Sequence, residues 1–445
     1  MSGRPRTAAL DRGEMLALLA TLAALVLVLV PELGSQPWPF RPERVDPQGP
    51  LGPLVRAAGR EWDLGIIRAS ALLAGLLVAA TAAAALRVPR WPAWLATALV
   101  VAVLLLVTVP ATLLQVGLRD ATEPWLFTND STYQIELAGE LVLDGDNPYG
   151  HDYTGSGLER FYGAVGFEPG FPQVALTHFA YFPGTPLAAA AWRLLPAPLD
   201  DYRILVLLAT LASFAAVLLV RAPLPWRLAA GAVVAANPLA VRAAWFGTAD
   251  MPSILLVILA VAFASRRHAP AAAACLAGAV LLKQFALVAV PFVALMLVLQ
   301  ATDRRTLARA AGVFGVVVAL GTLPFLVADP GALWGDTIAY GAETYRIIGY
   351  GLAGILVETG AIEDRFDPYP FALLALLVWA PVTAWLLVQA RRAASLAAAA
   401  TGFAISIFLL LYLGRVLQNS YLVWPLVGVV LAVLLASRRE DDAPR

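Results

Sequence analysis

Nine stretches of this chain, near 14–32, 66–86, 93–118, 201–220, 226–243, 307–327, 369–390, 394–413 and 420–437, run apolar. Each approaches the twenty or so residues that a helix needs to cross about 30 Å of hydrocarbon. Such runs favour an all-α polytopic membrane protein, because a helix satisfies its backbone N–H and C=O groups within itself. Composition agrees: 60% of the 445 residues are hydrophobic and 14% charged, against about 25% charged in a soluble domain. Soluble multidomain enzymes, secreted disulfide scaffolds and nucleic-acid binders are thereby excluded. The single cysteine, Cys275, permits no intramolecular disulfide and no zinc cluster. A net charge of zero leaves no bulk attraction to a charged partner. Of 31 basic residues only Lys283 is a lysine, the mark of a GC-rich bacterial genome.

Arg4, Arg6 and Arg12 ahead of the first run look like the head of a signal peptide. The stretch that follows, Pro31-Glu32-Leu33-Gly34, offers no small-residue cleavage site, so the run reads as a retained helix starting in the cytoplasm. The regions 177–198 and 251–300 are ambiguous, and the positive-inside rule arbitrates between foldings. Basic clusters fall at Arg87/Arg90, Arg221/Arg227, Arg266/Arg267, Arg304/Arg305/Arg309, Arg391/Arg392 and Arg438/Arg439. All are cytoplasmic only if 177–198 stays at the outer surface or re-enters, and 251–300 crosses three times near 251–265, 269–283 and 285–300. The expectation is about 12 crossings of a bacterial cell membrane with both termini cytoplasmic.

Five parts follow from this topology. They are N-terminal helices over 1–118 with an outer loop 33–65, and a large extracytoplasmic loop 119–200 with juxtamembrane helices. Core helices over 201–327, a second outer loop 328–368, and C-terminal helices with a cytoplasmic tail over 369–445 complete the chain. The Pro- and Gly-rich 33–65 reads as a surface cover, whereas the other two loops carry aromatic and acidic residues and read as functional. No internal repeat is visible.

The stretch richest in chemistry runs from Phe127 to Tyr153. Residues 131–143 pattern as a short amphipathic helix with Ile135, Leu137, Ala138, Leu141 and Val142 on its apolar side. Asp130 stands where a carboxylate caps such a helix, and equally where a general base faces a water-filled cavity. Asn147-Pro148-Tyr149 is a turn signal. A second cluster, Thr177 to Pro186, contains His178, Tyr181 and Phe182 and reads as an interfacial belt. His151 and His178 share the first large loop, but their 27-residue separation matches no metal-ligand spacing. No metal and no cofactor are expected.

Charges in or beside apolar runs are costly unless paired or wetted. Arg203, Arg242, Asp250, Lys283 and Arg415, the last just ahead of Gln418, all fall at outer helix ends in this topology. Each alone reads as a snorkelling side chain, while cations converging on a membrane cavity suit a lipid phosphate. Trp334, Asp336, Tyr340, Glu343, Tyr345, Arg346 and Tyr350 form an aromatic and charged strip, either a solvated amphipathic helix or a sugar-acceptor surface. The cluster Glu363 to Asp367 reads as an acidic turn.

Taken in order, several motifs resemble the bacterial GT-C polyprenol-phosphate-dependent mannosyltransferases, and within them the mycobacterial PimE-type enzymes. They are an Asp early in the first large outer loop, a Tyr-bearing amphipathic helix ending in Asp144-Gly145-Asp146-Asn147-Pro148-Tyr149, and Tyr181-Phe182-Pro183. Asn237-Pro238, Phe246 to Asp250, Gly278 to Lys283 and Tyr421-Leu422-Val423-Trp424-Pro425 follow, so the resemblance covers roughly 120–435. It implies transfer of one sugar, with inversion, from a polyprenyl-phosphate donor to a hydroxyl of a lipid or glycan acceptor. The partners implied are that donor, that acceptor and membrane lipids, with no nucleic acid.

By the same resemblance Asp130 is the general base and His178 assists it or orients the acceptor. Lys283 and Arg242, supported by Arg415 and Arg203, neutralise the departing phosphate. Tyr133, Asn147, Tyr149, Tyr181, Asp250 and Gln418 contact substrate. The surround Asn129-Asp130-Ser131 departs from the family pattern, so Asp146 and Asp152 stand beside Asp130 as candidates for the base. A transporter or flippase of a lipid-linked sugar is the competing reading, using the same intramembrane cations and breaks at Pro238 and Pro291. A non-catalytic polysaccharide-assembly partner is a third.

Overall fold

The computed structural model describes residues 9–33, 49–57, 65–161, 174–300 and 303–437. The greater part of the 33–65 segment, Arg4 and Arg6, and the Arg438/Arg439 cluster lie outside them. The elements are α1 (Arg12–Glu32), α2 (Gly52–Ala57), α3 (Gly65–Ala85), α4 (Ala93–Asp120), α5 (Asp130–Asp144), α6 (Gly184–Arg193) and α7 (Tyr202–Leu218). Next come α8 (Leu224–Ala236), α9 (Pro238–Arg242), α10 (Asp250–Ser265), α11 (Ala269–Leu282), α12 (Ala289–Leu299) and α13 (Arg304–Ala328). The last are α14 (Pro330–Trp334), α15 (Leu352–Glu358), α16 (Phe371–Leu374), α17 (Ala380–Arg392), α18 (Leu396–Leu413) and α19 (Val423–Ala436). The wider π-turns of Ala243–Gly247, Gly335–Thr344 and Ala375–Trp379 prolong α9 and α14 and join α16 to α17.

The protein is an all-α, multi-pass membrane protein. Among the described residues seven helical stretches are long and apolar enough to cross: Arg12–Val30, Arg68–Ala85, Ala93–Asp120, Arg304–Ala328, Phe371–Arg392, Leu396–Leu413 and Asn419–Ala436. The pair Leu224–Ala236 and Pro238–Gly247 qualifies only together, bent by 42°. The remaining four, Tyr202–Leu218, Asp250–Ser265, Ala269–Leu282 and Gln284–Leu299, are shorter. Each of the twelve stretches expected to cross is thus helical, but seven or eight have the length of a full span. The crossing expected at 226–243 is a broken one.

Sequence explains that break. Pro238 cannot donate to the preceding turn, and Asn237 closes both ends of the gap with one side chain. Its Nδ2 donates to the carbonyls of Val233 and Val234 (both 2.8 Å), and its Oδ1 accepts from Ala240 N–H at 3.0 Å. Elsewhere Asp11 and Glu14 form a reciprocal capping box on α1, and Asp303 and Ser395 cap α13 and α18.

Two cores result. One gathers α1, α3, α4 and α8 around Leu18, Leu22, Val100 and Val107. The larger runs from α5 and α6 through α7, α10 to α12, α18 and α19, with Phe292 and Trp424 among its fully buried side chains. Two short ladders tie distant segments: Ala9–Asp11 pairs antiparallel with Arg90–Pro92, and Ile348–Gly349 pairs parallel with Val416–Leu417.

The region 177–198 contains a single short helix, α6, packed along α5. Gly139 on α5 lies so close to the Ala189 backbone that a Cβ there would stand 2.8 Å from it. These two helices, with the 146–161 and 174–183 turns, are where the candidate site begins.

Candidate active site

Helix α5 starts one residue earlier than the amphipathic pattern suggested. Asn129 is its N-cap, the side chain accepting from Thr132 N–H at 2.8 Å, so Asp130 is the first helical residue and not the cap. The carboxylate is relieved of the capping duty and accepts from Ser131 N–H at 2.9 Å. Its charge stands where the helix dipole favours an anion.

That start is clamped to the segment before α10. Asn129 Nδ2 donates to the carbonyls of Phe246 (3.1 Å) and Gly247 (2.5 Å), and Thr132 Oγ1 donates to Gly247 O at 2.6 Å. Gly247 has φ of +95°, and a Cβ on it would meet Thr132 Oγ1 at 2.2 Å. Gly247→Ala is therefore expected to destabilise the fold by about 1–3 kcal/mol, seen as a lower temperature of unfolding in detergent.

Beneath the clamp lies Arg203, which is wholly buried. Its Nε and Nη2 hold Asp201 at 2.9 and 2.7 Å, Nη1 donates to the carbonyls of Phe127 and Trp245, and Nη2 also reaches Gln115 O. Asp201 and the buried Glu136 share Arg119, each with a 3.0 Å hydrogen bond from Nη1. Burial alone would push Asp201 up, but the guanidiniums of Arg203 and Arg119 outweigh it and hold the carboxyl below the usual carboxylate range.

The second wall is built on Lys283, at the break between α11 and Gln284–Val288. Its ammonium lies 4.6 Å from the ring centre of Tyr181, 5.4 Å from that of Phe285 and 5.6 Å from that of Tyr421. The carboxylate of Asp250, buried at the start of α10, accepts from Trp424 Nε1 at 2.9 Å and stands 3.8 Å from Lys283 Nζ. That separation is too long for a hydrogen bond. Among the described residues Nζ makes none, although Lys283 is 5% exposed.

The third wall comes from 174–183 and 329–345. The His178 ring stacks on Tyr340 at 4.6 Å, Tyr340 meets Tyr345 edge-on at 5.1 Å, and His178 Nδ1 lies 2.8 Å from Val174 O. The Tyr181 hydroxyl stands close to Ser131, next to Asp130 in the chain. Burial, aided by the Asp130 charge, pushes Tyr181, Tyr340 and Tyr345 upward, so all three stay neutral donors at ordinary pH. The field of Asp130 also reaches Tyr421. Asp130 and Lys283 thus both stand near Tyr181 and Tyr421.

The other residues singled out in the sequence fall elsewhere. Arg203 presents no spare N–H, since all five are occupied. Arg415, 2% exposed, donates from Nε to Tyr345 O at 2.7 Å and from Nη1 to Asp367 O at 3.1 Å. Both expected phosphate ligands are therefore braces, because carbonyls at irregular chain segments take their donors first. Arg242 is half-buried over the Phe246 ring at 5.2 Å.

Tyr133, expected at the substrate, points its hydroxyl to Ser156 O and lines a separate cleft of about 380 Å³ with Arg119, Glu140, Arg193 and Asp200. Asn147 folds back on Tyr149 N–H in its turn, and Tyr149 is a buried strut donating to Tyr181 O at 2.8 Å. Gln418 is half-buried beside the Val416–Leu417 ladder. Asp146 and Asp152 are exposed, Asp152 accepting from Thr154 N–H. His151 packs against Tyr153 and not against His178. Among the described residues no three His, Cys, Asp or Glu side chains are grouped to hold a metal.

Sequence reasoning did not assign site roles to Ser131, Phe285, Tyr340, Tyr345, Tyr421 and Trp424. Tyr421 and Trp424 stood in a quoted motif and Tyr340 and Tyr345 in the aromatic strip, but nothing local says that the strip folds onto Asp130.

No protein-family model matches the chain, and no curated protein matches it. Among solved structures, ArnT from Cupriavidus metallidurans bound to undecaprenyl phosphate is similar over 69% of this chain, at 20% identity and a TM-score of 0.41. The match spans 55% of that protein, about half of its length.

Proposed function

We propose that the protein is an inverting glycosyltransferase of the GT-C type. It moves one sugar, mannose, from a polyprenyl-phosphate donor to a hydroxyl of a lipid or glycan acceptor on the extracytoplasmic face. The observation that carries this reading is Lys283: a nearly buried side chain whose ammonium is ringed by three aromatic faces and, among the described residues, has no hydrogen-bond acceptor. A charge held in a protein with few hydrogen bonds is costly, and an anion reaching the Lys283 ammonium supplies acceptors.

In the proposed reaction the acceptor hydroxyl gives its proton to the Asp130 carboxylate while its oxygen attacks the anomeric carbon. The bond from that carbon to the phosphate oxygen breaks, and the pair of electrons leaves with the phosphate. Lys283 stabilises that developing charge. Separating base from leaving group across the sugar is the arrangement inversion requires, as in inverting glycosidases. His178, fixed by its stack on Tyr340, orients the acceptor, and Arg242 lends charge at the periphery.

Lys283→Met tests the reading, because it keeps the bulk and removes the charge. Loss of a charge-assisted contact is expected to weaken binding of polyprenyl phosphate in detergent by about 10–100-fold. Lys283→Met combined with Asp250→Asn, which leaves no unpaired carboxylate, controls for misfolding. Equal affinity in wild type and the double variant would overturn the assignment. Movement of labelled lipid across proteoliposomes without sugar transfer would favour the transporter.

A further inference from the structure

The proposed chemistry leaves one buried acid unused. Asp336, 3% exposed, follows α14 on the 329–345 segment. One of its oxygens, Oδ2, accepts both Gly150 N–H at 2.8 Å and Phe179 N–H at 3.1 Å. Those amides belong to two different turns, so a single carboxylate joins three segments that are far apart in the chain. The Phe179 side is continuous with the site: Phe179 packs on Tyr149 at 5.7 Å and on Tyr181 at 5.5 Å, and His178 precedes it. The Asp336 side is continuous as well, since Tyr340 lies one turn further on, under His178.

We propose that Asp336 is a positioning residue. Its ionised carboxylate fixes the His178 and Tyr181 wall against the Tyr340 and Tyr345 wall, and so sets the width of the space around Asp130. The inference rests on the proposed glycosyl transfer for its catalytic consequence, but not for its structural one.

Two amide donors on one anionic oxygen form charge-assisted bonds, stronger than the same bonds to a neutral carboxyl. Proton uptake therefore loosens the tie. The titratable groups that face Asp336 are His178 from the 174–183 turn, Tyr149 and Tyr153 from the 146–161 turn, and Asp329 and Tyr340 on its own segment. Burial pushes the Asp336 carboxyl up, partly offset by the two amides and by His178. The sign is definite: a raised carboxyl makes the charged form the costlier one to bury, so falling pH relaxes the tie without a loss of global stability from this group.

The test uses the full chain in detergent, as wild type, Asp336→Asn and Asp336→Ala. The amide of Asp336→Asn retains a carbonyl acceptor but does not titrate. Hydrogen exchange over 148–153 and 177–182 is expected to quicken at least about tenfold in Asp336→Ala and by a smaller factor in Asp336→Asn, whose neutral carbonyl holds the two amides less tightly. Transfer should fall about 10–100-fold in Asp336→Ala, whereas Asp336→Asn should lose part of the acidic limb of its pH profile. Unchanged exchange in Asp336→Ala overturns the tie, whether or not any protein transfers sugar. Quickened exchange with an identical acidic limb in Asp336→Asn overturns its role in the reaction. Absence of transfer in wild type, with exchange changed as expected, removes the glycosyltransferase reading and leaves the tie.

Discussion

Asp130→Asn is expected to lower sugar transfer by about 10²–10⁴-fold, the range by which a positioned general base accelerates a reaction, while leaving the protein folded. The fold should survive because Asn129, not Asp130, caps α5 and is anchored to the Phe246 and Gly247 carbonyls. An asparagine also occupies nearly the same space as the aspartate. The measurement compares the purified proteins for transfer of radiolabelled mannose from polyprenyl-phosphate-mannose to a lipid extract, with unfolding temperature as control. Equal rates in both proteins would move the base elsewhere. The exposed Asp146 and Asp152 would then be substituted next.

Arg203→Met should have the largest effect on stability. Removing the guanidinium leaves the Asp201 carboxylate with Arg119 as its one remaining described cation and frees the carbonyls of Phe127 and Trp245 inside the protein, and breaking a buried pair from one side costs about 3–5 kcal/mol. Asp201 is held below the usual carboxylate range, so the pair stabilises the fold at every pH above that range and loses its contribution only in strong acid. Heating in detergent at pH 7, with far-UV circular dichroism as the readout, is expected to show Arg203→Met melting well below wild type. Adding Asp201→Asn to it should recover part of the loss, because the half-compensated charge is gone. A variant that melts with wild type would mean that Arg203 is not the brace its five hydrogen bonds describe.

The apolar runs made the helices legible because hydrocarbon imposes one rule, backbone satisfaction inside each segment. Their ends were less legible. Asn129 and Asp130 are both good caps by residue type, and only the carbonyls of Phe246 and Gly247, more than a hundred residues away, decide between them. The arginines illustrate the same gap. Arg203, Arg415 and Lys283 look alike in sequence, as cations at helix ends, yet carbonyls occupy the first two and aromatic rings surround the third. Planar forks fit irregular backbone well, and irregular backbone has no periodicity to read. The candidate site draws Asp130, His178, Lys283 and Tyr340 from four segments, and its tyrosines depend on how the 329–345 segment packs against the 174–183 turn.

Lys283 is also the only lysine in the chain. A protein of this size usually scatters ε-amines over its surface, where they drown any single one in background. Here the side-chain amine chemistry of the whole molecule is confined to one aromatic cage. Apart from the terminal α-amine, amine-directed labels, isotope-enriched methyl groups and crosslinkers thus become reporters of a single address, and whatever shields that address is visible without mutating the protein.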